Sequence, residues 1–341
     1  MRKREVNEQT HRRMNRSDTH STLRWSDYLN RFGPLLGLLL VYLLFAFIAP
    51  PSFSSIRNLE TIARQTAIVG IAALGMTLVI ISAGIDLSVG SIVALTTVII
   101  AWALQNGWSP LMAALMGIGV ATLCGLLNGA IITRLKVVPF IVTLGTLLFL
   151  RGVAKGIAGE QKIDAPYTAL NELLASLPAN QNWMVVSPGV WMLIFLAFLV
   201  AALLKFTRLG RHIFAVGSNE KTARLCGINT DRVKIIVYTF SALLTGIAGL
   251  MQFSRLTVGD PTVAVGLELD VIAAVVIGGG SLSGGEGSVL GTVIGAFIMT
   301  VIRSGCSQMG LPNWVQEILT GGIIVLAVAL DRLRHRRLED A

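Results

Sequence analysis

Ten runs of apolar residues separated by short polar links set the terms on which this chain can fold. They fall at about 33–49, 62–83, 91–104, 111–133, 138–157, 188–206, 234–253, 268–280, 288–304 and 314–330. Roughly 20 apolar residues in an α-helix span the hydrocarbon core of a bilayer, so most of these runs are long enough to cross. Away from water each backbone donor and acceptor has to be met within the helix, which points to an all-α, polytopic membrane helical bundle of about ten transmembrane helices. Only 14% of the residues are charged and 53% are hydrophobic, whereas a soluble domain carries roughly 25% charge. The runs 91–104 and 268–280 are short, and short, Gly-interrupted segments often mark broken or re-entrant helices beside a pathway.

Charge sets the expected orientation. With the N-terminus inside, the inner segments are 1–31, 84–90, 134–137, 205–234, 281–287 and 331–341, and they hold 21 of the 28 lysines and arginines. That asymmetry follows the positive-inside rule and predicts an N-in, C-in bundle. The organisation is then a basic cytoplasmic tail (1–32), a membrane domain (33–331) with an inner loop at 207–232 and an outer loop at 158–187, and a C-terminal tail (332–341). A short helix is expected near Tyr167–Ser176. The first run lies too far along the chain for a cleaved secretory signal and reads as an uncleaved anchor. The net charge of +9 is explained by basic inner loops rather than by nucleic acid. Trp102, Trp108, Trp183, Trp191 and Trp314 sit at run ends, as an interfacial belt would place them. Cys124, Cys226 and Cys306 suggest no disulfide framework, and no Cys/His cluster has metal-ligand spacing, so no metal is expected.

Two Gly-rich breaks carry most of the polar chemistry near the membrane. Gly84-Ile-Asp-Leu-Ser-Val-Gly90 ends one run and opens the next, with Asp86 its single charge. A carboxylate at such a break needs water or donors, so it lies near a surface or on a functional path. The plainer reading is a solvated turn in which Ser88 caps the next helix. The break 278–287 repeats Gly84, Leu87, Ser88 and Gly90 as Gly279, Leu282, Ser283 and Gly285. Gly84, Asp86, Ser88, Gly90, Gly279, Ser281, Ser283 and Gly285 are therefore candidates for lining or gating a path. Arg151 joins them, about 20 Å from the inner end of its run; path lining and a structural ion pair are both open there. Near the outer surface Arg255, Glu268 and Asp270 flank a Gly/Pro-interrupted link, either as solvated loop charges or as a docking surface.

The inner loop 207–232 is the most distinctive segment. Ser218 or Asn219 can cap a helix of about two turns that Gly227 ends in the left-handed conformation. A helix so short is unstable alone in water, which suits docking into a groove on a soluble partner. Ser218, Asn219, Glu220, Lys221, Thr222, Ala223, Arg224, Cys226 and Gly227 form the candidate coupling site. Thr222, Ala223 and Cys226 are expected on the contact face, with Glu220, Lys221 and Arg224 at a solvated rim.

These motifs come together in one resemblance. Gly84-Ile-Asp-Leu-Ser-Val-Gly90, Leu150-Arg-Gly152, Gly210-Arg-His-Ile-Phe-Ala-Val-Gly217, Ala223-Arg-Leu-Cys-Gly-Ile228 and Glu268-Leu-Asp-Val-Ile-Ala-Ala-Val-Val-Ile-Gly-Gly279 resemble, in order, permeases of ribose-type sugar ABC importers. The resemblance runs from about residue 60 to 330. It implies a homodimer in the bacterial inner membrane, a cytoplasmic ATPase partner, a periplasmic sugar-binding protein, and uptake of a monosaccharide or close relative. The importer coupling motif Glu-Ala-Ala-x-x-x-Gly falls on Lys221, Thr222, Ala223 and Gly227, so its first two positions depart from the pattern. Leu282-Ser-Gly-Gly-Glu286 looks like an ABC ATPase signature, but no Gly-Lys dipeptide exists here and no lysine follows Lys234. Nucleotide binding also needs a Gly-rich loop ending in Gly-Lys-Ser/Thr, so ATP and its magnesium are expected in the partner, with no cofactor and no catalytic residue in this chain.

Two rival functions are weighed against this one. A self-sufficient secondary transporter needs an ion-coupling site, and intramembrane carboxylates are few. A membrane enzyme needs clustered carboxylates or histidines on one face, and none stands out. Pentoses, hexoses, inositols and furanone-type signalling sugars all remain open as substrates.

Overall fold

The computed structural model describes residues 23–176 and 185–339. Most of the basic tail, Trp183 and the middle of the outer loop lie outside them. Twelve α-helices occupy the described residues: α1 (Leu23–Ile48), α2 (Ile56–Ile81), α3 (Val89–Gln105), α4 (Pro110–Leu135), α5 (Pro139–Ile157), α6 (Pro188–Phe206), α7 (Arg208–Ser218), α8 (Glu220–Leu225), α9 (Thr230–Leu256), α10 (Leu267–Ile277), α11 (Val289–Gln308) and α12 (Asn313–Glu339). Each apolar run coincides with a helix, and α7 and α8 lie in the loop between two runs. The starts follow local chemistry. Ser55, Ser109, Thr207, Asn219, Asn229 and Ser288 each cap a helix by accepting a backbone N–H. Pro110, Pro139 and Pro188 stand in first turns, where a missing N–H is harmless.

Six helices (α2, α4, α5, α6, α9 and α11) are long and apolar enough to cross a membrane. The apolar stretches Gly33–Ile48, Val89–Gln105 and Asn313–Ala329 are shorter. α10, with 11 residues, is about 16 Å long at 1.5 Å per residue, well under a hydrocarbon core of roughly 30 Å.

The fold is not purely helical. Strands β1 (Ile163–Asp164) and β2 (Val258–Gly259) pair antiparallel, Ile163 opposite Gly259, and tie the outer loop to the link after α9. Two residues are too few to show a period of two, which is why the sequence gives no sign of them. The helix expected near Tyr167–Ser176 is a 3-10 helix, Ala169–Leu174, closed by a capping box between Thr168 and Asn171.

α2 is the central post. Of its most apolar 18-residue window, 89% is buried inside the protein, against 17% for α5; a helix apolar all round belongs in the core. α2 and α11 run antiparallel along a polar seam. The Thr77 and Thr292 hydroxyls meet at 2.8 Å, those of Thr66 and Thr300 at 2.6 Å, and Ser304 donates to Asn58 at 3.0 Å. Other crossings rely on missing side chains. A Cβ on Gly125 would stand 2.3 Å from Tyr238 O, so α4 lies directly on the α9 backbone; Gly291 and Gly295 bring α11 onto α10, where a Cβ would meet Gly278 O at 1.9 Å and Ala274 O at 2.0 Å. In lipid, where helices gain little from burying apolar surface against each other, such approach supplies the van der Waals contact that holds a bundle.

Gly125→Val is therefore expected to push α4 off α9, at about the 1–3 kcal/mol of an overpacked core. Gly119→Val on the same helix, with nothing within 4 Å of its Cβ position, should be near neutral. Thermal unfolding of the detergent-solubilised protein compares the two.

Candidate functional site

The site grows from the loop after α6. Thr207 caps α7 through a bond from Gly210 N–H. Along α7, Ile213 and Val216 are buried while Arg208 and Arg211 are exposed, an amphipathic pattern that lays the helix along the bundle. Asn219 then starts α8 by accepting from Thr222 N–H at 2.9 Å. Gly227, at φ 82°, closes it with the left-handed turn expected from the sequence, and Ile228 N–H returns to Ala223 O at 3.1 Å.

The faces of α8 differ from the expected ones. Ala223 is buried within the chain, so it belongs to the inward face and not to a contact surface. Glu220 and Arg224 keep exposed side chains but are paired there. Lys234 Nζ bonds Glu220 Oε2 at 2.8 Å, and Arg224 reaches Glu220 at 3.4 Å, Asp231 at 3.5 Å and the Thr230 hydroxyl at 2.9 Å. Burial alone would raise the Glu220 carboxyl, but the hydrogen bond and charge of Lys234, with the charge of Arg224, hold it below its ordinary value. The lash is thus complete above the ordinary carboxylate range and is lost only as pH falls through that lowered value. Lys221, Thr222 and Cys226 face solvent, beside Leu225 at 88% exposure. Sequence reasoning passed over Leu225, although a lone leucine in a polar loop was a usable signal.

At the other end of α7 three stretches of backbone meet. A Cβ on Gly217 would lie 1.6 Å from Ile81 O and 2.7 Å from Gly285 N. Gly285 N–H itself donates to Ile81 O at 2.8 Å, and Gly284, at φ 86°, sits against Ala83. The end of α2, the Gly-rich turn before α11 and the last turn of α7 therefore form one junction. It joins two segments that the sequence singles out separately, 84–90 and 279–287, to the loop carrying Ser218. Within the second break Gly279 and Ser283 are exposed and Ser281 is buried, and Ser281 N–H bonds Glu286 O at 3.2 Å.

From that junction the chain 82–88 runs inward, fully buried at Asp86 and Ser88. The expectation of a solvated turn is overturned here: Asp86 Oδ1 takes bonds from Ser88 N–H (2.9 Å) and Oγ–H (2.6 Å), and Asn128 Nδ2 donates to Ser88 Oγ at 3.0 Å. Protein donors replace water for a carboxylate placed away from it. Thr143 and Tyr238 hydroxyls reach Ile85 O, and Gly84 lies where a Cβ would meet the Tyr238 hydroxyl at 2.6 Å. α3 then begins so that a Cβ on Gly90 would stand 2.3 Å from Ala264 O and 2.4 Å from Glu268 Oε2.

Arg151 and two of the docking candidates, Glu268 and Asp270, lie in three different surroundings. Arg151 Nη1 donates to Pro261 O (3.0 Å) and Val263 O (2.6 Å), so it fastens the link between β2 and α10. Glu268 is half-buried beside Gly90, and Asp270 is fully buried in an ion pair with Arg303. Of the three docking candidates only Arg255 is exposed; Asp270 has no surface to offer an external protein.

Residues 58–328 match the family described as branched-chain amino acid transport system / permease component. The chain belongs to this permease family. The ribose import permease protein of Escherichia coli K12 is 38% identical over 87% of this chain and 92% of its own length. The fructose import permease protein of Rhizobium meliloti is 37% identical over 88% of this chain and 84% of its own, and the xylose transport system permease protein of E. coli is 34% identical over 91% and 93%. No solved structure matches the chain. The permease is a membrane protein and a transport component rather than an enzyme.

Gly217→Ala should leave the permease in the membrane at near wild-type amount and reduce solute uptake to background, because its Cβ meets rigid backbone and not a movable side chain. Gly152→Ala, with open space around it, should transport normally. Immunoblots of membranes alongside uptake separate loss of protein from loss of transport.

Proposed function

We propose that this permease is the membrane-spanning subunit of an ATP-driven bacterial importer of a monosaccharide, working as a homodimer with a cytoplasmic ATPase and a periplasmic sugar-binding protein. The near full-length match to ribose, fructose and xylose permeases carries the sugar assignment. The family description favours a second reading, import of a branched-chain amino acid.

In this proposal the chain crosses the inner membrane ten times with both termini cytoplasmic, in agreement with the charge asymmetry. Residues 1–32 and 332–341 are cytoplasmic tails. α10 is a half-length helix that completes its crossing together with the irregular link that Arg151 fastens. The 218–227 segment is the coupling site, with Leu225, Thr222 and Cys226 offered to the ATPase. Movement of α8 and α7 on ATP binding would pass through Gly217 to Ile81 and Gly285, and so to the breaks 84–90 and 279–285, which act as the gate. Arg255 is the candidate seat for the binding protein. Each state of the gate is then selected by what binds it better, the loaded binding protein outside or ATP inside.

Reconstituted with its ATPase and binding protein, the complex should take up a sugar from a panel of ribose, fructose and xylose and leave leucine outside. Leucine uptake without sugar uptake would favour the second reading. Leu225→Asp should keep insertion and dimerisation yet cut ATPase affinity about tenfold, the size of a modest interface hot spot. Orientation is checked in whole cells with an impermeant thiol reagent. Cysteine at Gln161 in a Cys226→Ser background should label from outside, whereas the exposed native Cys226 should label only after the membrane is opened.

A further inference from the structure

A groove of about 770 Å³ runs along the flank of the bundle beside the Gly-rich turn before α11. Leu204 at the end of α6, Phe214 on α7, and Leu290 and Ile294 on α11 line it, with Gly287 at its floor and Lys205 at its rim. Leu290 is 70% exposed, so its wall is open to whatever surrounds the bundle. Lys205 is exposed, lies 5.4 Å from the Phe206 ring, and has no carboxylate partner among the described residues. Arg208 and Arg211, both exposed, follow in the next two turns of chain. Apolar side chains along one stretch of the groove, with Lys205 in its lining and Arg208 and Arg211 following in the chain, match a molecule that is apolar at one end and anionic at the other.

We propose that this groove seats one anionic phospholipid of the inner leaflet, with its phosphate against Lys205 and an acyl chain between Leu204, Phe214, Leu290 and Ile294. Three physical arguments support that occupant over water or a soluble ligand. α6 and α11 are membrane-length apolar helices, so a groove on their flank opens to lipid and not to bulk solvent. A lysine whose stem lies on apolar surface extends its ammonium to the headgroup level, where a phosphate supplies the charge-assisted partner it lacks. The inner leaflet carries the anionic lipids that basic segments attract. The inference takes from the proposed function only the orientation of α6 and says nothing of the solute.

The test is native mass spectrometry of the purified full-length permease offered phosphatidylglycerol and phosphatidylethanolamine with identical acyl chains. The wild type should retain phosphatidylglycerol about fivefold over phosphatidylethanolamine, the ratio that one lysine near the surface supplies. Lys205→Glu should remove the preference, and Leu290→Trp, which fills the groove from the opposite wall, should lower retention of both lipids. Lys136→Glu, an exposed lysine between α4 and α5, should behave as wild type. Melting curves show whether each variant is folded, and the Leu290 variant keeps the test valid if the Lys205 variant is not. Equal retention of the two lipids by the wild type, or an unchanged preference in Lys205→Glu, overturns the proposal. So does efficient crosslinking of Leu290→Cys between two copies, which would mean that a second permease covers the groove. No transport is measured, so these outcomes are independent of whether the solute is a sugar.

Discussion

The contact on which the rest of the structure depends is the meeting of backbone with backbone at Gly217. Ile81 O receives Gly285 N–H there, and the absence of a side chain on Gly217 lets α7 lie against both. A junction made of main-chain atoms transmits displacement stiffly, because no rotamer can absorb it. α7, the end of the central post and the turn before α11 are thereby one mechanical piece. α8, by contrast, is attached through long side chains, Glu220 to Lys234 and Arg224 to Asp231 and Thr230. The loop is held by side chains at α8 and by main chain where α7 meets the bundle.

Three charged side chains set within the bundle are held by named partners. Asp270 holds Arg303, Arg151 holds two carbonyls, and Asp86 takes two donors from Ser88. Each group would be costly at bilayer depth if left alone. Here each fixes a piece of irregular chain: the start of α10, the link before it, and the entry into α3. These are the places where the backbone leaves helical geometry inside the bundle, and non-helical chain is tolerated at that depth only when protein encloses it.

The sequence made the helices legible because apolar runs and their caps are local signals; Ser55, Ser109 and the prolines at first turns stand where the runs begin. The left-handed Gly227 was legible for the same reason. Contacts between distant segments were not. Nothing near Gly217 indicates that Ile81 will lie against it, and the strand pair at Ile163 and Val258 is too short to show a period. The solvated reading of Asp86 failed because charge near a break usually means water, whereas Asn128, 40 residues beyond Ser88, helps to supply the polar surroundings instead. Ala223 was placed outward by helical spacing alone, but spacing fixes which residues share a face and not which way that face looks.

The seam between α2 and α11 has a property that follows from where its hydroxyls are bonded. Thr66 and Thr77 also reach the carbonyls of Ile62 and Ala73 four residues back at 2.8 and 2.7 Å, and Thr300 reaches Ala296 O at 3.0 Å. Each of these donors therefore has a resting place on its own helix. When the two helices slide past or away from each other, the Thr66–Thr300 bond can be given up without stranding a donor in hydrocarbon, where an unmet polar group costs most. The two central helices of the permease are thus joined by a bearing rather than a weld.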